Sequence, residues 1–107
     1  MGTTKTEAYT PPQLELAEVC KALAHPARIA ILEHLLSQEC CICQDLTGII
    51  DLSQPTLSRH LQVLRDAGLI AGTAEGNSRS YCIHPTRWRQ VRGMLDAFFG
   101  RFGEGCC

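Results

Sequence analysis

The stretch ECCICQDL, residues 39–46, holds three thiols within four positions, at Cys40, Cys41 and Cys43. Thiolates are soft ligands that bind thiophilic ions, and closely spaced thiols can also form a redox pair. The chain has seven cysteines, so at least one stays unpaired even if all others form disulfides. In a reducing compartment such a cluster indicates a metal or redox site before a disulfide framework. Three small apolar core residues are the structural alternative.

The other four cysteines are separate from this cluster. Cys20 lies at an apolar helical position and is predicted to pack in the core, since a free cysteine behaves as a small hydrophobe. Cys82 lies between two large apolar residues of a predicted strand and is predicted to be structural. Cys106 and Cys107 end the chain after a glycine-rich segment, which favours either a free tail or additional ligands.

Length and composition indicate one soluble domain. The chain has 107 residues, of which 45% are hydrophobic and 20% charged, an ordinary globular composition. A chain this short buries only about two-thirds of its surface on folding, which makes dimerisation plausible. No segment approaches the roughly 20 apolar residues of a membrane span, and MGTTKTEAYTPP lacks a signal-like apolar run. We therefore expect a cytoplasmic protein that does not bind membranes.

The net charge of −1 conceals a difference between the two halves of the chain. Residues 1–51 contain three basic and seven acidic side chains, whereas residues 52–107 contain seven basic and four acidic ones. Such asymmetry is typical of a domain that presents a basic face to a polyanion.

Hydrophobic periodicity predicts a mainly helical domain with one β-hairpin. A flexible arm is expected over residues 1–12, a folded domain over 13–102 and a cysteine-containing tail over 103–107. The predicted helices are 13–24, 26–37, 44–50, 53–67 and 85–102, and the second is expected to be buried nearly all round. A hairpin is predicted around Glu75-Gly76-Asn77-Ser78, and Gly68 is predicted to end the preceding helix in a left-handed conformation.

A short helix, a tight connection, a capped helix and a hairpin follow one another in the order of a winged helix-turn-helix. Ser53 is a suitable N-cap for the second of these helices, and Leu57, Leu61 and Leu64 form its apolar stripe. At 100° per residue Arg59 points away from that stripe, and His60 leans towards it, which predicts a packed or hydrogen-bonded histidine. The candidate DNA contacts are Ser53, Gln54, Thr56, Ser58, Arg59 and Gln62, with Arg79 just past the hairpin tip for the minor groove.

The last predicted helix carries a heptad-like seam of large apolar side chains. Its members are Trp88, Val91, Leu95, Phe98 and Phe102. They either pack on the core of their own domain or form a homodimer interface.

The segments KALAHPARIAILEHL and LSQPTLSRHLQVLRDAGLI, with the glycine-tipped hairpin, resemble the ArsR/SmtB group of metal- and stress-responsive repressors. The resemblance covers about residues 15–84. It implies a homodimeric winged-helix repressor that binds double-stranded operator DNA and releases it when an inducer binds. It also implies that the first and last helices form the dimer, which adds Leu16 to the candidate interface.

Cys41-Ile42-Cys43 resembles the Cys-x-Cys pair of arsenical-responsive members, which implies As(III) or Sb(III) as inducer and no permanent cofactor. In a regular helix Cys41 and Cys43 would lie roughly 200° apart, so chelation requires a non-helical backbone there. The third cysteine of the commonest arsenical motif is Leu46 here. Cys40, Cys106 and Cys107 are therefore the candidate third ligands.

Other functions use the same thiols. Cd(II), Pb(II) or Zn(II) could be the inducer, or the thiols could sense oxidants or reactive sulfur. A dithiol enzyme is less favoured, because thioredoxin-like chemistry expects a βαβ frame and the pattern here is mostly helical. A structural zinc site is the remaining alternative.

Overall fold

The computed structural model describes residues 6–38, 41–75 and 78–103, and only the backbone of residues 6, 41–45, 73–75, 78 and 79. A 3-10 turn at Thr6–Ala8 comes first. The elements that follow are α1 (Pro11–Leu23), α2 (Pro26–Ser37), β1 (Cys41–Ile42), α3 (Cys43–Ile49), α4 (Gln54–Asp66), β2 (Ile70–Glu75), β3 (Ser78–Ile83) and α5 (Pro85–Phe99). The predicted fold class, mainly helical with a hairpin wing, is confirmed. We call the β2–β3 hairpin the wing.

Helix α1 starts two residues before the predicted Gln13, inside the segment expected to be a flexible arm. Thr10 and Gln13 form a capping box: the Gln13 N–H donates to the Thr10 hydroxyl at 3.3 Å, and the Thr10 N–H donates to the Gln13 side-chain oxygen at 2.9 Å. Pro11 and Pro12 occupy the first turn, where a missing N–H costs no helical hydrogen bond. The prolines therefore begin this helix.

The core contradicts the prediction for Cys20. Val19 and Ala22 are the buried residues of α1, and Cys20 is a free, exposed thiol. Each residue turns about 100° around a helix, so the residue after Val19 lies beyond the edge of the buried stripe. The core is a single cluster of Val19, Ala22, Ile31, Leu32, Leu35, Leu46, Leu57, Leu61, Leu64, Leu69, Ile70, Tyr81 and Val91.

Helix α2 lies at the centre of this core but is not buried all round, as had been expected. Ile31, Leu32 and Leu35 are buried, whereas Ile29 is 41% exposed and Leu36 is 54% exposed. The other helices cover only one side of α2, so apolar residues on the opposite side stay in contact with solvent. Apolar content alone did not reveal which side is covered.

The wing belongs to a three-stranded antiparallel sheet with the order β1-β3-β2. Strand β2 pairs with β3 from Ile70 opposite Ile83 to Glu75 opposite Ser78, which confirms the predicted hairpin. Its tip, residues 76–77, lies outside the described residues. Strand β1 was not predicted: Cys41 pairs with Tyr81 and Ile42 with Ser80. Two residues are too few for an alternating pattern.

Helix α5 ends at Phe99, three residues before the predicted end. The N–H of Gly100 bonds to the Asp96 carbonyl at 2.8 Å and closes the helix. Phe102 therefore lies beyond the helical seam and is 75% exposed. Within the described residues, no helix combines the length and apolarity that crossing a membrane would require.

Candidate nucleic-acid interface and cysteine segment

Helix α4 is anchored by the three leucines that its sequence pattern predicts. Leu57, Leu61 and Leu64 are at most 1% exposed. Their spacing of four and three residues places them on one face of the helix. Fixing this face in the core determines which side chains the opposite face presents to solvent.

The C-terminal end of α4 is a Schellman motif. Gly68 has φ of +79°, its N–H bonds to the Arg65 carbonyl at 2.9 Å, and the Leu69 N–H bonds to the Leu64 carbonyl at 3.0 Å. The left-handed conformation favours glycine, because in any other residue the Cβ atom lies too close to the carbonyl oxygen that follows it. The motif turns the chain directly from α4 into β2 and confirms the prediction for Gly68.

All six candidate DNA contacts on α4 and its N-cap are exposed: Ser53, Gln54, Thr56, Ser58, Arg59 and Gln62. Ser53 occupies the N-cap position as predicted, but its side chain makes no capping bond to the backbone. Its hydroxyl donates to the Thr56 hydroxyl at 3.0 Å instead. Gln62 donates to the Asp66 carboxylate at 2.7 Å. The side chain of Arg79 lies outside the described part of the chain.

His60 joins α4 to the α1–α2 corner, which confirms the prediction of a packed, hydrogen-bonded histidine. Its Nδ1 lies 3.2 Å from a guanidinium nitrogen of Arg28, and its ring lies 4.4 Å from the His25 ring, centroid to centroid. Burial, followed by the His25 and Arg28 charges, lowers the pKa of His60 below its ordinary value. Since arginine can only donate, the neutral imidazole accepts at Nδ1.

Arg28 and Arg87 each connect α4 or its C-cap to neighbouring helices. Besides contacting His60, Arg28 donates to the carbonyls of Ala22 at 2.7 Å and Lys21 at 3.1 Å, where α1 ends. Arg87, from α5, donates to the Ala67 carbonyl at 3.2 Å and forms an ion pair with Glu15 at 2.7 Å. Neither role was predicted from the sequence, because the contacts with His60, Ala67 and Glu15 join residues that are distant in the chain.

The cysteine cluster lies at a junction between strand and helix. Cys41 is in β1, and Cys43 is the first residue of α3. The backbone is therefore not helical across this pair, which meets the condition stated for chelation. The side chains of both residues lie outside the described part, as do Cys40, Cys106 and Cys107 entirely. Among the described side chains, no group of three or more Cys, His, Asp or Glu forms a metal site.

Three phenylalanines at the end of α5 and just beyond it are exposed to solvent. Phe98, Phe99 and Phe102 are 47%, 70% and 75% exposed. A groove between α1 and α5 adjoins them, with Leu16, Met94 and Phe98 in its lining. Of the predicted interface residues, Val91 is buried, while Leu16, Trp88 and Leu95 are half-buried. The predicted seam is thus divided: its first part packs on the core and its end faces solvent.

Comparisons with known proteins match both the sequence and the fold to transcriptional regulators. A helix-turn-helix domain model matches residues 23–73. The arsenical resistance operon repressor of Staphylococcus xylosus is 40% identical over 92 residues, which cover 86% of each chain. The HTH-type regulator Rv0081 of Mycobacterium tuberculosis (strain ATCC 25618 / H37Rv) is 43% identical over 67 residues, 63% of this chain and 59% of that protein. The crystal structure of the ArsR-family regulator RHA00566 aligns with a TM-score of 0.71 at 26% identity, covering 82% of this chain and 90% of that one.

The chain belongs to the ArsR/SmtB family of transcriptional regulators.

This ArsR/SmtB-family chain has its helix-turn-helix match from the end of α1 to the middle of β2. The matched region includes α3, α4 and the cysteine cluster at 40–43. Helix α5, with its exposed phenylalanines, lies outside that region.

Proposed function

We propose that this regulator is a repressor that binds double-stranded operator DNA as a homodimer and releases it when a thiophilic ion binds. The ion is As(III) or Sb(III), held by thiols around Cys41 and Cys43. The proposal of DNA binding rests on one observation about α4. Its apolar face is buried, and all six candidate contacts of the helix and its N-cap are exposed.

Arg59 is the central base-reading residue of this proposal. It is exposed in the middle of the outer face of α4, and a guanidinium can form two hydrogen bonds to a guanine edge. Thr56, Ser58 and Gln62 surround it on that face, and Ser53 and Gln54 lie at the helix start to meet phosphate. Arg79 on the wing serves the minor groove.

The homodimer is formed through α1 and α5. The exposed Phe98 and Phe102 and the adjoining groove with Leu16 support this interface, because a second copy would remove these apolar side chains from water. Two recognition helices would then face successive half-sites about one turn of DNA apart.

The inducer part rests on thiol chemistry and on the junction between β1 and α3. Cys41 and Cys43 flank the point at which the backbone changes from strand to helix. An ion that binds both, with Cys40, Cys106 or Cys107 as a third ligand, favours one arrangement of α3 and thereby displaces α4. Cd(II), Pb(II) or Zn(II) would bind through the same thiols.

A thiol-redox repressor is the second candidate, and one observation favours it. Cys82 is held in a disulfide bond, so a sulfur of the wing strand can be oxidised together with another thiol of the chain. Peroxide or a reactive sulfur species would then replace the ion as inducer.

The decisive experiment measures fluorescence anisotropy of reduced protein on DNA from its own promoter while arsenite is added. We expect wild type to bind the DNA and arsenite to release it. Cys43→Ser should bind the DNA but no longer respond, whereas Cys20→Ser, at the exposed thiol of α1, should respond as wild type does. DNA binding that persists in arsenite would contradict the inducer and leave cadmium, lead and oxidants to be titrated.

A parallel measurement tests the DNA surface. Arg59→Ala should weaken binding on the order of 5- to 150-fold, the value of one lost bidentate base contact. Arg89→Ala, at an exposed arginine of α5, is the matched control and should bind as wild type does. Equal affinities of the two variants for DNA would show that α4 is not the element that reads the bases.

A further inference from the structure

Gly72 in strand β2 lies where a side chain has no room. A Cβ atom there would be 2.9 Å from Cε1 and 3.1 Å from Cδ1 of the Tyr81 ring. Tyr81 is opposite Gly72 in the β2–β3 ladder and is only 5% exposed, and moving its ring would disturb the core cluster to which it belongs. A glycine inside a strand often marks such a close approach. Gly72 therefore keeps this side of β2 open to a neighbouring group.

Arg65, in the last turn of α4, is the neighbour that reaches Gly72. Its Nε lies 3.7 Å from the position that a Cβ atom of residue 72 would take, which is ordinary van der Waals contact. The residue as a whole is exposed, since an arginine packs its stem on a surface and keeps its charged end in water. Within the described residues, its side chain forms no ion pair and no hydrogen bond. A positive charge is thus held at the corner between α4 and the wing without being neutralised there.

Arg65 also continues a row of candidate DNA contacts. Ser58, Gln62 and Arg65 are spaced by four and three residues, which places them on one side of α4. All three are exposed, and the first two belong to the proposed DNA surface. The row therefore leads along α4 to the place where this helix meets the wing.

We propose that Arg65 binds the DNA phosphate backbone at the corner between α4 and the wing. This inference rests on the proposed function, in which α4 occupies the major groove and Arg79 of the wing serves the minor groove. One sugar-phosphate strand separates a major groove from the adjacent minor groove, so that strand passes the corner where Arg65 lies. A guanidinium binds phosphate through charge-assisted hydrogen bonds, often two in parallel. Such a contact fixes the register of the protein on the duplex and reads no base.

The test measures how the DNA affinity of the full-length protein depends on salt. Each neutralised phosphate contributes about 0.9 to the slope of log K against log salt concentration. Arg65→Gln keeps a long side chain beside Gly72 but removes the charge, so this slope should become shallower by about 0.9. Affinities for operator DNA and for an unrelated duplex should fall by the same factor, on the order of tenfold. Arg65→Lys, which keeps the charge, and Arg89→Gln, at an exposed arginine of α5, are the controls and should retain the wild-type slope.

A second measurement locates the phosphate. Operator duplexes in which an uncharged methylphosphonate replaces one phosphate at a time are titrated with wild type and with Arg65→Gln. At one backbone position in each half-site wild type should lose about tenfold in affinity and Arg65→Gln should lose nothing further. An Arg65→Gln slope equal to that of wild type, or no position at which the two proteins respond differently, overturns this inference and leaves the proposed function intact. Failure of wild type to bind its promoter DNA refutes the proposed function itself.

Discussion

Helix α4 and the β1–α3 segment are attached to the same core in very different ways. Helix α4 has 13 residues, three fully buried leucines and a Schellman end. Helix α3 has seven residues, and among its described side chains only Leu46 is buried, whereas Ile49 is 52% exposed. A short helix with few buried contacts rearranges at little cost. In the proposed mechanism, α4 is thus the firmly held DNA-reading element, and the β1–α3 segment is the sensing element that rearranges.

The largest expected effect comes from the buried face of α4. Leu61→Ala should lower the free energy of unfolding by about 2–5 kcal/mol, because it leaves a cavity in the centre of the core. Ile49→Ala in α3 is the matched truncation at an exposed site and should change it by no more than about 0.5 kcal/mol. Denaturant unfolding measures both. Similar losses of stability for the two variants would contradict the difference between α4 and α3.

A pair of glycines tests how firmly the end of α4 is held. Gly68→Ala forces a left-handed alanine whose Cβ would lie 3.0 Å from Cγ of Arg87, and should cost about 1–2 kcal/mol. Gly93→Ala, in α5 with nothing within 4 Å, should instead gain about 0.5–1 kcal/mol from helix propensity. Thermal or denaturant unfolding distinguishes them, and unchanged stability of Gly68→Ala would contradict the role given to the Schellman motif.

The smallest expected effect is the pH dependence of the contact between α4 and the α1–α2 corner. Burial and the nearby His25 and Arg28 charges hold the pKa of His60 below 6.5. On acidification, His60 therefore binds its proton at a higher pH in the unfolded chain than in the folded chain. The contribution of neutral His60 is complete above about pH 6.5. It declines as the pH falls towards the lower pKa of the folded state.

Unfolding measured between pH 8 and pH 5 checks this sign. His60→Gln should reduce the loss of stability on acidification, since glutamine still accepts from Arg28 but does not titrate. His34→Gln, a substitution on α2 away from this contact, should keep the wild-type profile. A profile that is unchanged by His60→Gln would show that this histidine does not couple α4 to pH.

Sequence patterns predicted α4 best because its structure depends on local spacing. Leu57, Leu61 and Leu64 follow one helical face, and Gly68 stops the helix, so both the buried face and the end were predicted. The side chain of His60 leans towards that face, which led to the correct expectation of a packed histidine. Each of these features lies within 12 residues of chain.

Prediction failed where burial depends on which neighbour covers a helix. Cys20 has the spacing of a core residue yet is exposed, because Val19 and Ala22 are the residues of α1 that meet the core. Leu36 is apolar yet exposed because α2 is covered on one side only. Phe102 continued a helical seam in sequence, but α5 ends at Phe99.

The sequence by itself determined the helical periodicity, the turn at Gly68, the hairpin and the thiol-rich segment, since these depend on residues close together in the chain. Only the tertiary structure decided that β1 pairs with β3, and that Arg28 and Arg87 connect α4 and its C-cap to neighbouring helices. These contacts join residues 20 to 40 positions apart. They form because packing the apolar faces of the helices brings those segments together, and no local pattern encodes them.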